Sequence, residues 1–98
     1  MRGDFALAII DVIRDKVQSG EYEFAIPHFF EEMANDDLVF GDIEKAVATG
    51  RIRRRFKGEP RGPRYEIVGT ATDDREVAVI CRLKATGKLL FITTYALE

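Results

Sequence analysis

The sequence predicts an α+β domain in which three N-terminal helices pack on one face of a four-stranded antiparallel sheet. Apolar residues recur at helical spacing before residue 50, whereas after it they alternate or run together as they do in strands. Glycine and proline residues separate the strand-like segments, as expected for turns. The length of 98 residues fits one domain, so residues 1–98 are treated as a single folding unit.

The three predicted helices occupy residues 4–19, 27–35 and 41–49. Asp4 is a good N-cap residue for the first helix, and Pro27 suits the opening turn of the second because a missing N–H costs nothing there. The first helix is expected to bury one apolar stripe, formed by Ala6, Ile9, Ile10, Ile13 and Val17. The third is expected to bury Ile43, Ala46 and Val47.

The four predicted strands occupy residues 51–57, 64–70, 76–84 and 88–95. The last two form a hairpin, and a two-residue turn in it would pair Ala85 with Lys88. In that case Arg82 shares a face with Phe91, Thr93 and Tyr95. A three-residue loop puts Arg82 with Leu90, Ile92 and Thr94 instead. Both registers stay open, because a slip of one residue reverses the faces.

Charge is distributed unevenly along the chain. The net charge of −2 argues against a strongly basic nucleic-acid binder. However, residues 1–50 carry four Lys/Arg against eleven Asp/Glu, and residues 51–98 carry eleven against six. Such a polarised surface can steer an anionic partner to one side of the molecule.

A cytoplasmic location is expected from cysteine usage and hydropathy. Cys81 is the only cysteine and lies in an apolar run, so it indicates a small buried residue rather than a disulfide or a reactive thiol. No stretch reaches the roughly 20 apolar residues of a membrane span, and the N-terminus lacks a signal-peptide pattern.

The strongest functional signal is a basic run of seven cations in fourteen residues, with Glu59 its only acid. The cations are Arg51, Arg53, Arg54, Arg55, Lys57, Arg61 and Arg64. In an extended chain, Arg51, Arg53, Arg55 and Lys57 would share one face. RNA phosphates fit such a row, because guanidinium groups pair with them bidentately. Two other readings stay open: charges that protect an exposed edge strand, or a row neutralised by the acidic first half, within the fold or across a homodimer.

His28, the only histidine, stands at a predicted helix start, where it is either a structural residue or a general base near neutral pH. Three pairs of carboxylates are adjacent in the sequence, and adjacent residues do not converge on one point of a helix or strand: Glu31-Glu32, Asp36-Asp37 and Asp73-Asp74. One histidine and one cysteine give no zinc pattern, so no metal or cofactor is expected.

Several short motifs resemble a bacterial family known as domain of unknown function 4258. They are the histidine at a helix start, the segment Ala48-Thr-Gly-Arg-Ile52, the segment Gly62-Pro-Arg-Tyr-Glu-Ile-Val-Gly69 and the closing Ile92-Thr-Thr-Tyr95. The resemblance spans about residues 22–96, with residues 1–20 as an N-terminal helical addition. It implies a fold similar to that of the RelE, barnase and colicin group of small ribonucleases.

That resemblance also implies roles for five residues in metal-free RNA cleavage by the 2′-hydroxyl group. His28 would be the base. Arg64 and Arg82 would stabilise the charge of the phosphorane, and Thr94 or Tyr95 would orient the phosphate or protonate the leaving group. Cleavage by these groups requires that His28, Arg64 and Arg82 open into one cleft.

One departure from the family pattern bears on cleavage. Glu31 and Glu32 stand where the family usually has an arginine, and acid near a phosphate site is unfavourable. The sequence therefore leaves three hypotheses: a toxin-like endoribonuclease paired with an antitoxin-type protein, a non-catalytic module that binds RNA or a protein, and a homodimer.

Overall fold

The computed structural model describes the backbone of residues 2–97 and the side chains of residues 8–97. The helices are α1 (Arg2–Ser19), α2 (His28–Asn35) and α3 (Phe40–Thr49). The strands are β1 (Tyr22–Phe24), β2 (Arg51–Phe56), β3 (Arg64–Thr70), β4 (Glu76–Leu83) and β5 (Leu89–Ala96). None of the helices in this part of the chain combines the length and the hydropathy that crossing a membrane requires.

The strands form one mixed sheet of five strands, in the order β1-β5-β4-β3-β2. The α+β class is confirmed, but the prediction of four antiparallel strands is wrong, because β1 pairs with β5 in parallel. Backbone hydrogen bonds extend this pairing beyond β1 on both sides, from Leu89 N to Glu21 O and from Ala25 N to Phe91 O. A strand of three residues is too short for a recognisable alternation, and its partner lies far along the chain.

The helices follow the predicted ranges closely. α2 and α3 begin within one residue of their predicted starts and end at the predicted residues. α1 begins at Arg2 rather than near Asp4, and the side chains of Asp4 and Ala6 lie outside the described residues. Ile10 and Ile13 are buried as predicted.

A single core cluster joins the helices to alternate residues of the sheet. Its helical members include Ile10, Ile13, Phe29, Ile43, Ala46 and Val47. Its sheet members include Tyr65, Ile67, Val77, Val79, Cys81, Leu89 and Phe91. Burial raises the pKa of the Cys81 thiol to about 12, so this side chain is an inert part of the core.

Arg14 ties α1 to the C-terminal end of α3. Its Nε donates to the carbonyl oxygen of Val47 at 3.0 Å, and its NH2 group donates to that of Gly50 at 2.7 Å. The last carbonyls of a helix have no partner within the helix, and a cation placed there also interacts favourably with the helix dipole. The sheet strand β2 starts directly after this contact, so Arg14 helps to fix where that strand begins.

Arg14→Ala should destabilise the fold by about 1.5 to 3 kcal/mol, because it leaves two part-buried carbonyls without a charged donor. Urea unfolding followed by circular dichroism measures this loss. Asp15→Ala, which removes an exposed side chain on the next position of α1, should change stability by less than about 0.5 kcal/mol. Equal losses in the two variants would contradict the role given to Arg14.

Candidate functional site

A β-bulge in β2 decides where its arginines point. The pairing of β2 with β3 passes from Ile52–Ile67 directly to Arg54–Glu66, so Arg53 is an extra residue in β2. Such an insertion shifts the alternation of the strand by one position. Residues after the bulge therefore point to the opposite side from that expected for a regular strand.

The prediction that Arg51, Arg53, Arg55 and Lys57 share one face is wrong for this reason. Arg55 pairs with Tyr65 of the core cluster, and its guanidinium lies 6.0 Å from the centre of that ring. Lys57 lies beyond the end of β2. Arg51 and Arg53 point to the other side of the sheet, where Arg54 joins them.

A second bulge settles the face of Arg82. The hairpin has a three-residue loop, because Lys84 N donates to Lys88 O at 2.9 Å, and Arg82 therefore pairs with Leu90. Beyond this point the pairing shifts, with Ile80 opposite Thr93. Arg82 consequently shares its face with Leu90, as the three-residue loop predicts. It also shares that face with Thr93 and Tyr95, as the two-residue turn predicts.

These pairings define one side of the sheet, here called the Glu66 face. It carries Arg51, Arg54, Phe56, Arg64, Glu66, Val68, Ala78, Ile80, Arg82, Leu90, Thr93 and Tyr95. None of these residues belongs to the core cluster that the helices cover in the described chain. Most of the basic run therefore lies on the side of the sheet opposite the core.

Glu66 is the centre of a hydrogen-bonded cluster on this face. Although it lies on the side away from the core, it is only 2% exposed. Its Oε1 accepts a hydrogen bond from Arg53 Nε at 2.7 Å, and its Oε2 accepts one from the Tyr95 hydroxyl at 2.7 Å. Arg54 Nε lies 3.6 Å from Oε1. The carboxylate thus organises the arginines at the bulge.

The cluster changes the acid–base properties of its members, including Glu66 and Tyr95. Burial disfavours the charged form of Glu66, but the hydrogen bonds from Arg53 and Tyr95 outweigh it, so the pKa of Glu66 lies below its usual value. The hydrogen bond to Glu66, together with burial, raises the pKa of Tyr95. Near neutral pH the cluster therefore consists of a carboxylate, a phenol and two guanidinium groups.

Arg64 and Arg82 occupy neighbouring positions on the Glu66 face. Tyr65 of β3 pairs with Cys81 of the antiparallel strand β4. Arg64, which precedes Tyr65, therefore lies beside Arg82, which follows Cys81. Arg64 is held by Glu59, 2.8 Å from its NH2 group, and its guanidinium lies 5.1 Å from the centre of the Phe56 ring. The Nε atoms of Arg64 and Arg82 are buried and have no hydrogen-bond partner among the described residues.

An open cavity of about 360 Å³ adjoins Arg82. It is lined by Arg61, Arg82, Lys84 and Ala85. Lys84 Nζ lies 2.6 Å from Glu23 Oε1, which orients the ammonium group at one side of the cavity. The hydrogen bond from Lys84 lowers the pKa of Glu23, so this carboxylate is ionised. One cation from β4 and one from each of two separate connections thus converge on one space.

The structure does not bring all five implied catalytic residues together. His28 is exposed at the start of α2, with its Nδ1 3.9 Å from Glu32 Oε1, and the next residue, Phe29, anchors this helix in the core cluster. α2 thus packs on the core side of the sheet, whereas Arg64 and Arg82 lie on the Glu66 face. Thr94 is fully buried on the core side, where its Oγ1 donates to Ala78 O at 2.8 Å.

Three residues at the Glu66 face or beside its cavity were not among the sequence-predicted site residues: Glu66, Lys84 and Glu23. Glu66 lies two positions after Arg64 in a predicted strand, so alternation alone places both on one face. Nothing local marks Glu23, whose position depends on the pairing of β1 with β5. Within residues 8–97, no three or more His, Cys, Asp or Glu side chains are grouped as metal ligands.

The fold and the site define a small α+β domain with an arginine-rich sheet face. The chain belongs to the family described as Domain of unknown function (DUF4258), whose model matches residues 27–96. The matched segment runs from the start of α2 to the end of β5, and α1 and β1 precede it. No curated protein and no solved structure matches the chain.

Proposed function

We propose that the protein is a binding module for single-stranded RNA, which lies along the Glu66 face without being cleaved. The observation that carries this proposal is the pair of neighbouring arginines, Arg64 and Arg82, on the Glu66 face. Among the described residues, one carboxylate, Glu59, contacts Arg64 and none contacts Arg82, so the pair keeps a net positive charge. An anion with several oxygen atoms can bind the outer nitrogens of the two guanidinium groups.

The charge of the site supports a polyanion. The described cations at the Glu66 face and its cavity are Arg51, Arg53, Arg54, Arg61, Arg64, Arg82 and Lys84. The carboxylates that contact them are Glu23, Glu59 and Glu66. The protein's own acids therefore neutralise only part of this charge. The six residues of β2 alone extend the face over about 20 Å, enough for several phosphates.

Aromatic rings favour a single strand over a duplex. Phe56 and Tyr95 are half-buried on the Glu66 face, between or beside its arginines. Proteins that bind single-stranded nucleic acids combine a cationic surface with aromatic rings on which bases stack. A sheet face can offer both to a strand whose bases are unpaired.

The placement of the implied catalytic groups supports binding rather than cleavage. His28 belongs to a helix that packs on the core side of the sheet, whereas the arginines that would stabilise the phosphorane lie on the Glu66 face. Thr94 is enclosed in the core, and the Tyr95 hydroxyl already donates to Glu66. Within the described residues, the face thus has cations and rings but no histidine beside them.

Two adjacent residues on opposite faces test the proposal. Arg54→Ala should weaken binding of a short unstructured RNA by roughly three- to tenfold, because it removes a phosphate-contacting cation from the Glu66 face. Arg54→Ala should also reduce the slope of the logarithm of the binding constant against the logarithm of the salt concentration by about 0.7, because it removes one phosphate contact with a single strand. Arg55→Ala removes the same charge from the opposite face and should have a much smaller effect. Fluorescence anisotropy at several salt concentrations gives both quantities.

The same samples separate the competing functions. Equal losses of RNA affinity in Arg54→Ala and Arg55→Ala would show that binding depends on the overall charge of the protein rather than on the Glu66 face. Intact RNA on a denaturing gel is expected, whereas fragments that disappear in His28→Ala would support the toxin-like ribonuclease. A molecular mass that doubles as the protein concentration rises, together with no affinity for RNA, would support the homodimer hypothesis.

A further inference from the structure

We infer that the cavity lined by Arg61, Arg82, Lys84 and Ala85 binds the terminal phosphate of the RNA strand. This inference rests on the proposed function, since it assigns one end of the bound strand to a particular place. The ligand is a phosphate monoester, and it differs from the internal diesters of the same RNA in charge and in shape.

The guanidinium of Arg82, which no carboxylate neutralises, is the first argument. Arg82 lies within β4, with Cys81 of the core cluster before it, and its Nε is buried without a hydrogen-bond partner among the described residues. Its side chain lines the cavity, and no carboxylate of the described chain contacts its guanidinium. The outer nitrogens of this guanidinium can therefore donate to a ligand oxygen inside the cavity.

The charge of the cavity is the second argument. Three cations line it, and Glu23 neutralises one of them through its 2.6 Å contact with Lys84. The remaining excess of two positive charges matches a phosphate monoester, which carries about 1.5 to 2 negative charges at neutral pH. An internal phosphodiester carries only one. A site with this charge therefore favours an end of the strand over its middle.

The shape and place of the cavity are the third argument. Its volume of about 360 Å³ lies within the range of about 300–1,000 Å³ found for small-molecule sites, so a phosphate with its sugar fits. Arg61 belongs to the connection between β2 and β3, whereas Lys84 and Ala85 belong to the hairpin loop after β4. Both connections leave the sheet at the same end. The cavity therefore stands where the Glu66 face stops, and a strand lying on that face would end there.

The experiment compares RNAs of one sequence that differ only at their ends. One pair carries a 3′ label and either a 5′-hydroxyl or a 5′-phosphate, and the other carries a 5′ label and either a 3′-hydroxyl or a 3′-phosphate. The wild-type chain should bind one or both phosphate-ended RNAs about tenfold more tightly than the hydroxyl-ended partner, as expected for a charge-assisted contact. The pair that shows the difference identifies the end of the strand.

Arg82→Ala should bind the phosphate-ended and hydroxyl-ended RNAs with equal affinity, whereas Arg55→Ala should keep the tenfold preference. Should Arg82→Ala not fold, Arg61→Ala in the exposed connection takes its place, and thermal unfolding of each variant checks the fold. Equal binding of all RNAs by the wild-type chain would overturn the inference and leave the proposed function standing. If the wild-type chain binds none of these RNAs, both the inference and the proposed function are wrong.

Discussion

Gly69→Ala should unfold the protein or lower its stability by at least about 3 kcal/mol, because overpacking against backbone cannot be relieved by a change of side-chain rotamer. A Cβ atom at position 69 would lie 2.7 Å from the carbonyl carbon of Ala46 and 2.9 Å from its Cα, and still closer to its carbonyl oxygen. These are atoms of the α3 backbone. Only displacement of α3 from β3 makes room for the added methyl group.

Thermal unfolding measures this effect. For a chain of this size, a loss of about 3 kcal/mol corresponds to a fall in the unfolding temperature of roughly 12 °C or more. Loss of α3 packing would also expose Ile43 and Val47 of the core cluster, so the variant should bind a hydrophobic dye.

Gly41→Ala is the matched control. Position 41 lies within α3, and a Cβ there would have no atom within 4 Å. Alanine is favoured over glycine inside a helix, so this variant should gain about 0.5 to 1 kcal/mol. A Gly69→Ala protein that melts within a few degrees of the wild type would show that α3 can move away from β3 at little cost.

Gly69 also illustrates how far the fold could be predicted from the sequence. Its strand was predicted correctly, and a glycine inside a strand can mark the close approach of another backbone. The sequence does not say which backbone approaches, because α3 and β3 meet only through the tertiary fold. Helices α2 and α3 were predictable for the opposite reason: their apolar spacing and the proline and glycine beside them are local.

The errors in the site come from bulges and from non-local pairing. The bulge at Arg53 contains no glycine and lies among charged residues, so nothing in the basic run indicates a break in its alternation. The bulge in β5 combines the two hairpin registers, each of which the sequence predicts only as an alternative to the other. The role of Glu66 depends on Arg53 of β2 and on Tyr95 of β5, two strands that only the assembled sheet brings to this residue.

Glu66→Gln is the second prediction with a large expected effect. The substitution preserves the size of the side chain but removes the charge that Arg53 and Tyr95 contact, each at 2.7 Å. Hydrogen bonds to charged groups contribute about 1.5 to 3 kcal/mol, and an amide offers only one oxygen acceptor for the two donors. We expect a loss of about 2 to 3 kcal/mol near neutral pH. Glu76→Gln, which removes an exposed carboxylate at the start of β4, should have little effect.

The dependence of this loss on pH distinguishes a charge effect from simple damage to packing. Because the pKa of Glu66 is lower in the folded chain than its unfolded value of about 4.3, its contribution is fully present above that pH and is lost as pH falls through the folded pKa. The difference in unfolding free energy between wild type and Glu66→Gln should therefore be constant from about pH 6 to 8 and shrink in acid.

Asp42 also has a lowered pKa, through hydrogen bonds from Thr72 and from the Val39 backbone, but it is present in both proteins. Subtracting the two stability curves removes its contribution and leaves that of the Glu66 cluster. At high pH the raised pKa of Tyr95 acts in the opposite direction: its contribution is present below the unfolded pKa of about 10 and is lost as pH rises through the folded value. The wild-type advantage should consequently decline at both ends of the pH range. A difference that stays the same from acid to alkaline pH would mean that Glu66 supports the sheet by its volume alone, and that its charge does not hold the arginines in place.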